Sequence, residues 1–145
     1  MPVRSRILVA EDDPGIRDLV RTRLELAGYE VMTARNGAEA FSLVQEVRPA
    51  AMVLDINMPG LDGFGVLRGL KARGRTLPVL VLSARHAAED VRLAVRLGAK
   101  DYLTKPFTDA QLLARVSRLL RPPLAGSTQA AQRAAAEVAC VLSLE

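Results

Sequence analysis

Cysteine and histidine are almost missing from this chain: Cys140 and His86 each stand alone, and there is no tryptophan. A single cysteine excludes an intramolecular disulfide and a cysteine-rich zinc site. A single histidine excludes a His-based metal centre, which leaves His86 as a loop or helix-start residue. No apolar stretch approaches the roughly 18 to 20 residues that a bilayer span requires. The N-terminal MPVRSRILVAEDD meets acids before a signal-like apolar region can form, so no membrane association is expected and the cytoplasm is the expected compartment. Aromatics make up 3% of the residues and no dense Lys/Arg block occurs, so the interleaved signature of a nucleic-acid surface is lacking.

What is present is a hydrophobic share of 50% in 145 residues, enough for one domain with its own core and a short appendage. The formal charge of +4 hides a gradient. Residues 1–62 carry 7 basic and 10 acidic side chains, residues 63–121 carry 12 and 4, and residues 122–145 carry 1 and 2. Spread as they are, the cations of the second half read as a solvated basic surface.

Short apolar runs alternate with longer amphipathic ones, the pattern of βα units around a parallel sheet. Strands buried on both faces read as continuous apolar runs, and Ile7–Ala10, Ala51–Leu54 and Val79–Leu82 do so. Glu30–Ala34 and Asp101–Leu103 are weaker and suit sheet edges. The first helix follows Pro14 with Ile16, Leu19, Val20, Leu24 and Ala27 at helical spacing and closes at Gly28; the second starts near Gly37 and carries Ala40, Phe41, Val44 and Val47. The third runs from Gly63 with Phe64, Val66, Leu67 and Leu70 to the Gly74 region; the fourth uses Val91, Ala94, Val95 and Leu97 and stops at Gly98. Capped by Thr108 or Asp109, the fifth presents Leu112, Leu113, Val116, Leu119 and Leu120. Five βα repeats predict an open doubly wound sheet, because a barrel needs about eight. With the first, third and fourth strands central, the order is 2-1-3-4-5, and sites in such sheets form beyond the carboxyl ends of the strands where the order reverses.

That edge is where the charged residues fall. The first strand ends in Glu11-Asp12-Asp13 and the third in Asp55, within VLDINMPGLDG. Carboxylates converging in one pocket repel unless some take up protons or a cation is supplied. With no His or Cys at hand, a hard divalent ion with oxygen ligands fits, Mg²⁺ above all. Asp13, just before Pro14, is accounted for as a helix N-terminal acid. The fourth strand adds Ser83 and the fifth leads to Lys105, a hydroxyl and an ammonium suited to phosphoryl oxygens. An Asp carboxylate can itself take a phosphoryl group as an acyl phosphate.

Together ILVAEDD, VLDINMPGLDG, VLVLSAR and GAKDYLTKPF resemble the receiver domain of two-component response regulators, the CheY-like three-layer (βα)5 fold, over Ile7 to Arg121. The resemblance implies that Asp55 accepts a phosphoryl group from a sensor histidine kinase or phosphotransfer protein. It also implies that Glu11, Asp12, Asp55 and the backbone carbonyl of Asn57 hold Mg²⁺, and that Ser83 and Lys105 contact the phosphate. Tyr102 is then the aromatic that changes rotamer as Ser83 moves, the Lys105–Pro106 bond is cis, and Asn57 and Arg85 stand where family members tune phosphoryl lifetime. Such a chain catalyses only its own phosphorylation and dephosphorylation.

The resemblance also places the switching surface on the fourth helix, fifth strand and fifth helix, with Arg92, Arg96, Lys100, Asp101, Arg115 and Arg118. KPF followed by LLARVSRLLR is similar to receivers of winged-helix transcription factors, which dimerise through this face. Asp101 and Arg115 supply one charge pair for that, whereas Val91 and Gln111 stand where another needs charges and Lys100 with Arg118 would repel. Residues 1–121 are expected to form the receiver; in 122–145, Leu124–Thr128 reads as a linker and AQRAAAEVACVLSLE as an Ala-rich helix that docks or pairs with a second chain. No output domain is recognisable, so DNA is expected as a partner only through one not present here. Two other readings start from the same residues. A haloacid-dehalogenase-like phosphatase wants a second acid where Asn57 stands, and a flavodoxin-like FMN site needs a phosphate loop where Glu11-Asp12-Asp13 would repel one.

Overall fold

The computed structural model describes residues 4–121; the linker and Ala-rich helix expected beyond them lie outside the described residues. Ten elements alternate: β1 (Arg6–Ala10), α1 (Pro14–Leu26), β2 (Glu30–Ala34), α2 (Gly37–Val47), β3 (Ala51–Asp55), α3 (Gly63–Ala72), β4 (Val79–Ser83), α4 (Ala88–Arg96), β5 (Asp101–Thr104) and α5 (Asp109–Leu119). The strands form one parallel sheet in the order β2-β1-β3-β4-β5, the doubly wound (βα)5 arrangement expected.

The apolar runs are continuous because both faces of the central strands are covered. Side chains alternate across the sheet, so Leu8, Ala10, Met52, Leu54, Val79 and Val81 pack with Ala40, Val44, Leu67, Leu70, Val91 and Ala94 from α2, α3 and α4. Ile7, Val9, Ala51, Val53, Leu80 and Leu82 pack on the other face with Val20 and Leu24 of α1 and Leu112, Val116 and Leu119 of α5. β2 and β5, the weaker runs, lie at the edges.

The stripe of α1 is narrower than its spacing suggested. Ile16, Val20 and Leu24, four residues apart, face the sheet, while Leu19 lies off that line and is 43% exposed. Ala27 is the C-cap, past the last helical residue, and is exposed. Leu113, Leu120 and Leu97 are only partly buried at the rims of the two cores.

Local signals set where four of the five helices begin, α4 starting after Ala87 with no side-chain cap. Asp13 Oδ1 accepts from the amides of Gly15 (2.8 Å) and Ile16 (3.2 Å), Asn36 and Asp62 cap α2 and α3, and Thr108 with Gln111 forms a capping box on α5. Parallel strands joined by helices require each helix to run back against the strand direction. Every helix therefore starts at the sheet's carboxyl edge and ends at the opposite edge, where Gly28 (φ 99°) and Gly98 (φ 110°) turn the chain in the left-handed region that glycine tolerates.

Candidate functional site

Register assembles the site. Ala10 pairs with Leu54, so the next residues, Glu11 and Asp55, emerge level at the carboxyl edge. Ser83 pairs with Thr104, and the amide of Lys105 donates to the Ser83 carbonyl (2.8 Å), which places Lys105 just above the same edge. His86 lies exposed in the loop before α4.

Carboxylate oxygens of Glu11, Asp12 and Asp55 lie within 4.8 Å of one another. Glu11 and Asp55 are buried and Asp12 is exposed at the mouth. The Lys105 ammonium donates to Glu11 Oε2 at 3.0 Å and stands 3.6 Å from Asp55 Oδ2. The Lys105–Pro106 peptide is cis.

Burial is the main force on the two inner acids. It pushes Glu11 up to about 7, against the opposing pull of Lys105, and the negative charge of Asp55 adds to the rise. Asp55 is likewise raised by burial, with Lys105 and the Asn57 amide pulling the other way. Three carboxylates against one ammonium leave two negative charges in a partly closed hollow, all offered by oxygen. That donor set fits a hard divalent cation, and such an ion would release the protons that burial otherwise favours.

The rest of the rim is tied together by hydrogen bonds. The Asn57 amide donates to Asp55 Oδ1 (3.3 Å), and Asn57 Oδ1 accepts from Arg85 Nε (2.9 Å). Arg85 also reaches Asp90 at the start of α4 (3.6 Å). Ser83 is fully buried; its Oγ accepts from the Arg85 amide (3.0 Å), while the Tyr102 hydroxyl donates to the Arg85 carbonyl (2.7 Å). Tyr102 is buried, which raises its phenol above the ordinary range. The backbone of Arg85 is therefore the shared partner of Ser83 and Tyr102.

One residue of the site went unnoticed in the sequence. Arg17 Nη1 donates to the carbonyls of Glu11 (3.0 Å) and Asp12 (3.4 Å), clamping the loop that carries the outer acids. The only available signal was a cation one turn into the helix after an acidic pair, which surface arginines share. On the face through which similar receivers dimerise, one charge pair is made inside the chain. Arg115 Nη1 donates to Asp101 Oδ1 within one chain at 2.6 Å, and the same oxygen accepts from the Tyr102 amide (2.8 Å). Asp101 is thus buried, with its Oδ1 shared between Arg115 and the Tyr102 amide.

Comparison with known proteins agrees with this geometry. The family model described as response regulator receiver domain matches residues 7–117. The transcriptional regulatory protein PrrA of Mycobacterium leprae (strain TN) is 46% identical over 127 residues, covering 88% of this chain and 54% of its own length. Response regulator MprA of Mycobacterium sp. (strain KMS) is 47% identical over 121 residues, covering 83% and 52%. The chain therefore spans about half the length of these curated relatives. Among solved structures, the receiver domain of Francisella response regulator 1452 superposes with a TM-score of 0.78 at 35% identity, covering 81% of this chain and 97% of that one. Chemotaxis protein CheY4 of Vibrio cholerae gives 0.77 at 32% identity, with 81% and 100% covered. With a matching family model over most of its length, relatives that share nearly half its residues, and the 2-1-3-4-5 sheet of these structures, the chain belongs to the response regulator receiver family.

Proposed function

We propose that the chain is a phosphorylation switch in which Asp55 takes a phosphoryl group from the phosphohistidine of a sensor kinase or phosphotransfer protein. A carboxylate oxygen of Asp55 attacks phosphorus, the P–N bond breaks as the P–O bond forms, and the departing imidazole takes up a proton. The chain acts on itself alone and turns over no separate substrate. The observation that carries this reading is the Lys105 ammonium held 3.6 Å from Asp55 Oδ2 beside the three-carboxylate cluster. Asp55 is positioned by a central strand, so attack needs little reorganisation.

Glu11, Asp12, Asp55 and the backbone carbonyl of Asn57 would hold Mg²⁺, which would supply charge neutralisation for the phosphoryl oxygens. Lys105 pairs with one of those oxygens and Ser83 donates its hydroxyl to another. The new anion is larger and more charged than the carboxylate it replaces. As Ser83 turns toward it, the hydrogen bond from the Arg85 amide is released. The Arg85 carbonyl that holds the Tyr102 hydroxyl then shifts, and the surface of α4, β5 and α5 follows. Whichever arrangement binds the phosphoryl oxygens better is populated in proportion to that difference.

Residues 1–121 act as the receiver unit and 122–145 as an appendage. Among the described residues no helix is long and apolar enough to cross a membrane, in keeping with work in the cytoplasm. By similarity to the transcriptional regulatory protein PrrA, the receiver controls transcription through DNA-binding machinery outside these residues. The missing charges at Val91 and Gln111 and the like charges of Lys100 and Arg118 argue against a homodimer through α4, β5 and α5.

Incubating the full chain with Mg²⁺ and a small phosphodonor, then weighing it, should show one phosphoryl adduct that Asp55→Asn abolishes. Steady hydrolysis of many phosphate esters would support a phosphatase instead, and a yellow bound chromophore a flavin site. Either result, without the adduct, sinks the proposal.

A further inference from the structure

The edge of the sheet opposite the phosphoryl site carries a charge pattern that extends from α3 onto the α4 part of the switching surface. α2, α3 and α4 end there side by side. Lys71 in the last turn of α3 donates to the carbonyl of Arg96 at the end of α4 (3.0 Å), so these two helix ends are in contact. Arg92 and Arg96 lie one turn apart on α4, as do Arg68 and Lys71 on α3, and Lys100 follows in the loop to β5. Arg73 rests over the Phe41 ring of α2, 5.0 Å from its centroid. All six cations are exposed.

Among the described residues, none of the six has a carboxylate within ion-pairing distance. The acids of this half are engaged elsewhere: Asp90 with Arg85, Asp101 with Arg115 and Asp109 with Arg23. Glu39, Asp62 and Glu89 lie in or beside the first helical turns, at the other edge; of the acids at this edge, Glu25 and Glu30 pair with Arg21 and Arg6, which leaves Glu46. Last-turn cations offset a helix dipole, which accounts for Lys71 and Arg96. It does not account for Arg68, Arg92 or Lys100.

We infer that this face, formed by the outer sides of α3 and α4 and the loop to β5, binds the phosphate backbone of double-stranded DNA without reading its sequence. Four of the six cations are arginines, whose planar fork suits phosphate oxygens. A protein partner would call for apolar or aromatic anchors, yet among the described residues the large exposed hydrophobic ones are Leu19, Leu26 and Leu61, none of them on α3 or α4. Single strands are gripped by stacking bases on exposed aromatics, and Phe41, the aromatic here, is half-buried beneath Arg73. What remains is repeated charge matched to repeated charge, which counterion release drives. The inference is independent of the role given to Asp55.

The test is fluorescence anisotropy of a labelled random-sequence duplex titrated with the full chain at several NaCl concentrations. Binding should weaken linearly in log affinity against log salt. Arg92→Gln/Arg96→Gln should lower affinity about tenfold and flatten the slope by about 2, near 0.9 for each phosphate left without its cation. A second variant, Arg68→Gln/Lys100→Gln, lies outside the last turns, so its folding does not depend on dipole compensation, and it should behave likewise. Arg4→Gln/Arg35→Gln removes the same charge from the rest of the surface and should leave affinity within about twofold. Every variant should still take a phosphoryl group at the parental rate, which separates this face from the phosphoryl site. Equal weakening by the control pair, tighter binding of a single strand, or displacement of the duplex by polyglutamate at lower concentration than by competitor duplex would each overturn the inference.

Discussion

The two edges of the sheet carry opposite charge in opposite ways. At the carboxyl edge, Glu11, Asp55 and Lys105 are largely withdrawn from water, mutually bonded, and shifted in protonation by burial. At the other edge, Arg68, Arg92, Arg96 and Lys100 stand in solvent without acidic partners. The first arrangement works by position and the second by density. Chemistry on one atom needs a rigid, partly dry setting in which charge interactions are strong. Attraction of a long polyanion needs only a field that water and salt can reach.

The comparison can be broken most directly through backbone crowding. A Cβ at Gly63 would stand 2.5 Å from the Asp55 carbonyl oxygen and 2.8 Å from Ile56 Cα. Gly63→Ala should therefore cost about 3 kcal/mol in urea unfolding and impair phosphorylation in the folded fraction, because the main chain carrying Asp55 must move. Gly74, at the other edge, meets nothing within 4 Å but has φ +65°. Gly74→Ala should cost about 1 kcal/mol and leave phosphorylation intact. Equal effects at both glycines would contradict a tight edge and an open one.

A pH series sharpens the contrast. Glu11 is raised from 4.5 to about 7 in the folded chain, so the folded state keeps a proton that the unfolded state releases. Stability should fall as pH rises from 4.5 toward 7 and level off above it, by about 3 kcal/mol; Asp55, also raised by burial, acts in the same sense. Urea midpoints measured in a chelator should show the decline. Saturating Mg²⁺ or Glu11→Gln should flatten it, and a Glu11→Gln profile parallel to the parent's would refute the assignment.

The smallest effect concerns Arg17, which holds the Glu11 and Asp12 carbonyls from outside the hollow. Arg17→Ala should weaken Mg²⁺ binding about tenfold in calorimetry, as loss of an outer support does, with the melting temperature little changed. Arg92→Ala, removing a cation from the other edge, should leave Mg²⁺ affinity as it was. If both changes act alike, net charge rather than loop geometry governs the metal.

Much of this molecule was written locally. Runs such as Val79–Leu82 have no solvent face to mark, so they declare buried parallel strands. Asp13, Asn36, Asp62 and Thr108 announce helix starts through bonds spanning two or three residues. Glu11, Asp12, Asp55, Ser83 and Lys105 were legible as candidates for one edge because each ends a strand or follows it within two residues, and parallel strands deliver their ends to one edge. The exposure of Leu19 was not legible, since a stripe three or four residues wide is trimmed only by what packs on it. Nor was Arg17, whose partners are carbonyls that every residue possesses.

Sequence alone determined which strands are central, where the helices begin and which side chains reach the carboxyl edge, because those follow from periodicity, capping and connection rules acting over a few residues. Only the tertiary structure decided that Asp101 is satisfied by Arg115, that Ser83 and Tyr102 share the backbone of Arg85, and that Lys71 at the end of α3 meets the Arg96 carbonyl at the end of α4. Such contacts join residues far apart in the chain, and their existence depends on how the helices settle against the sheet.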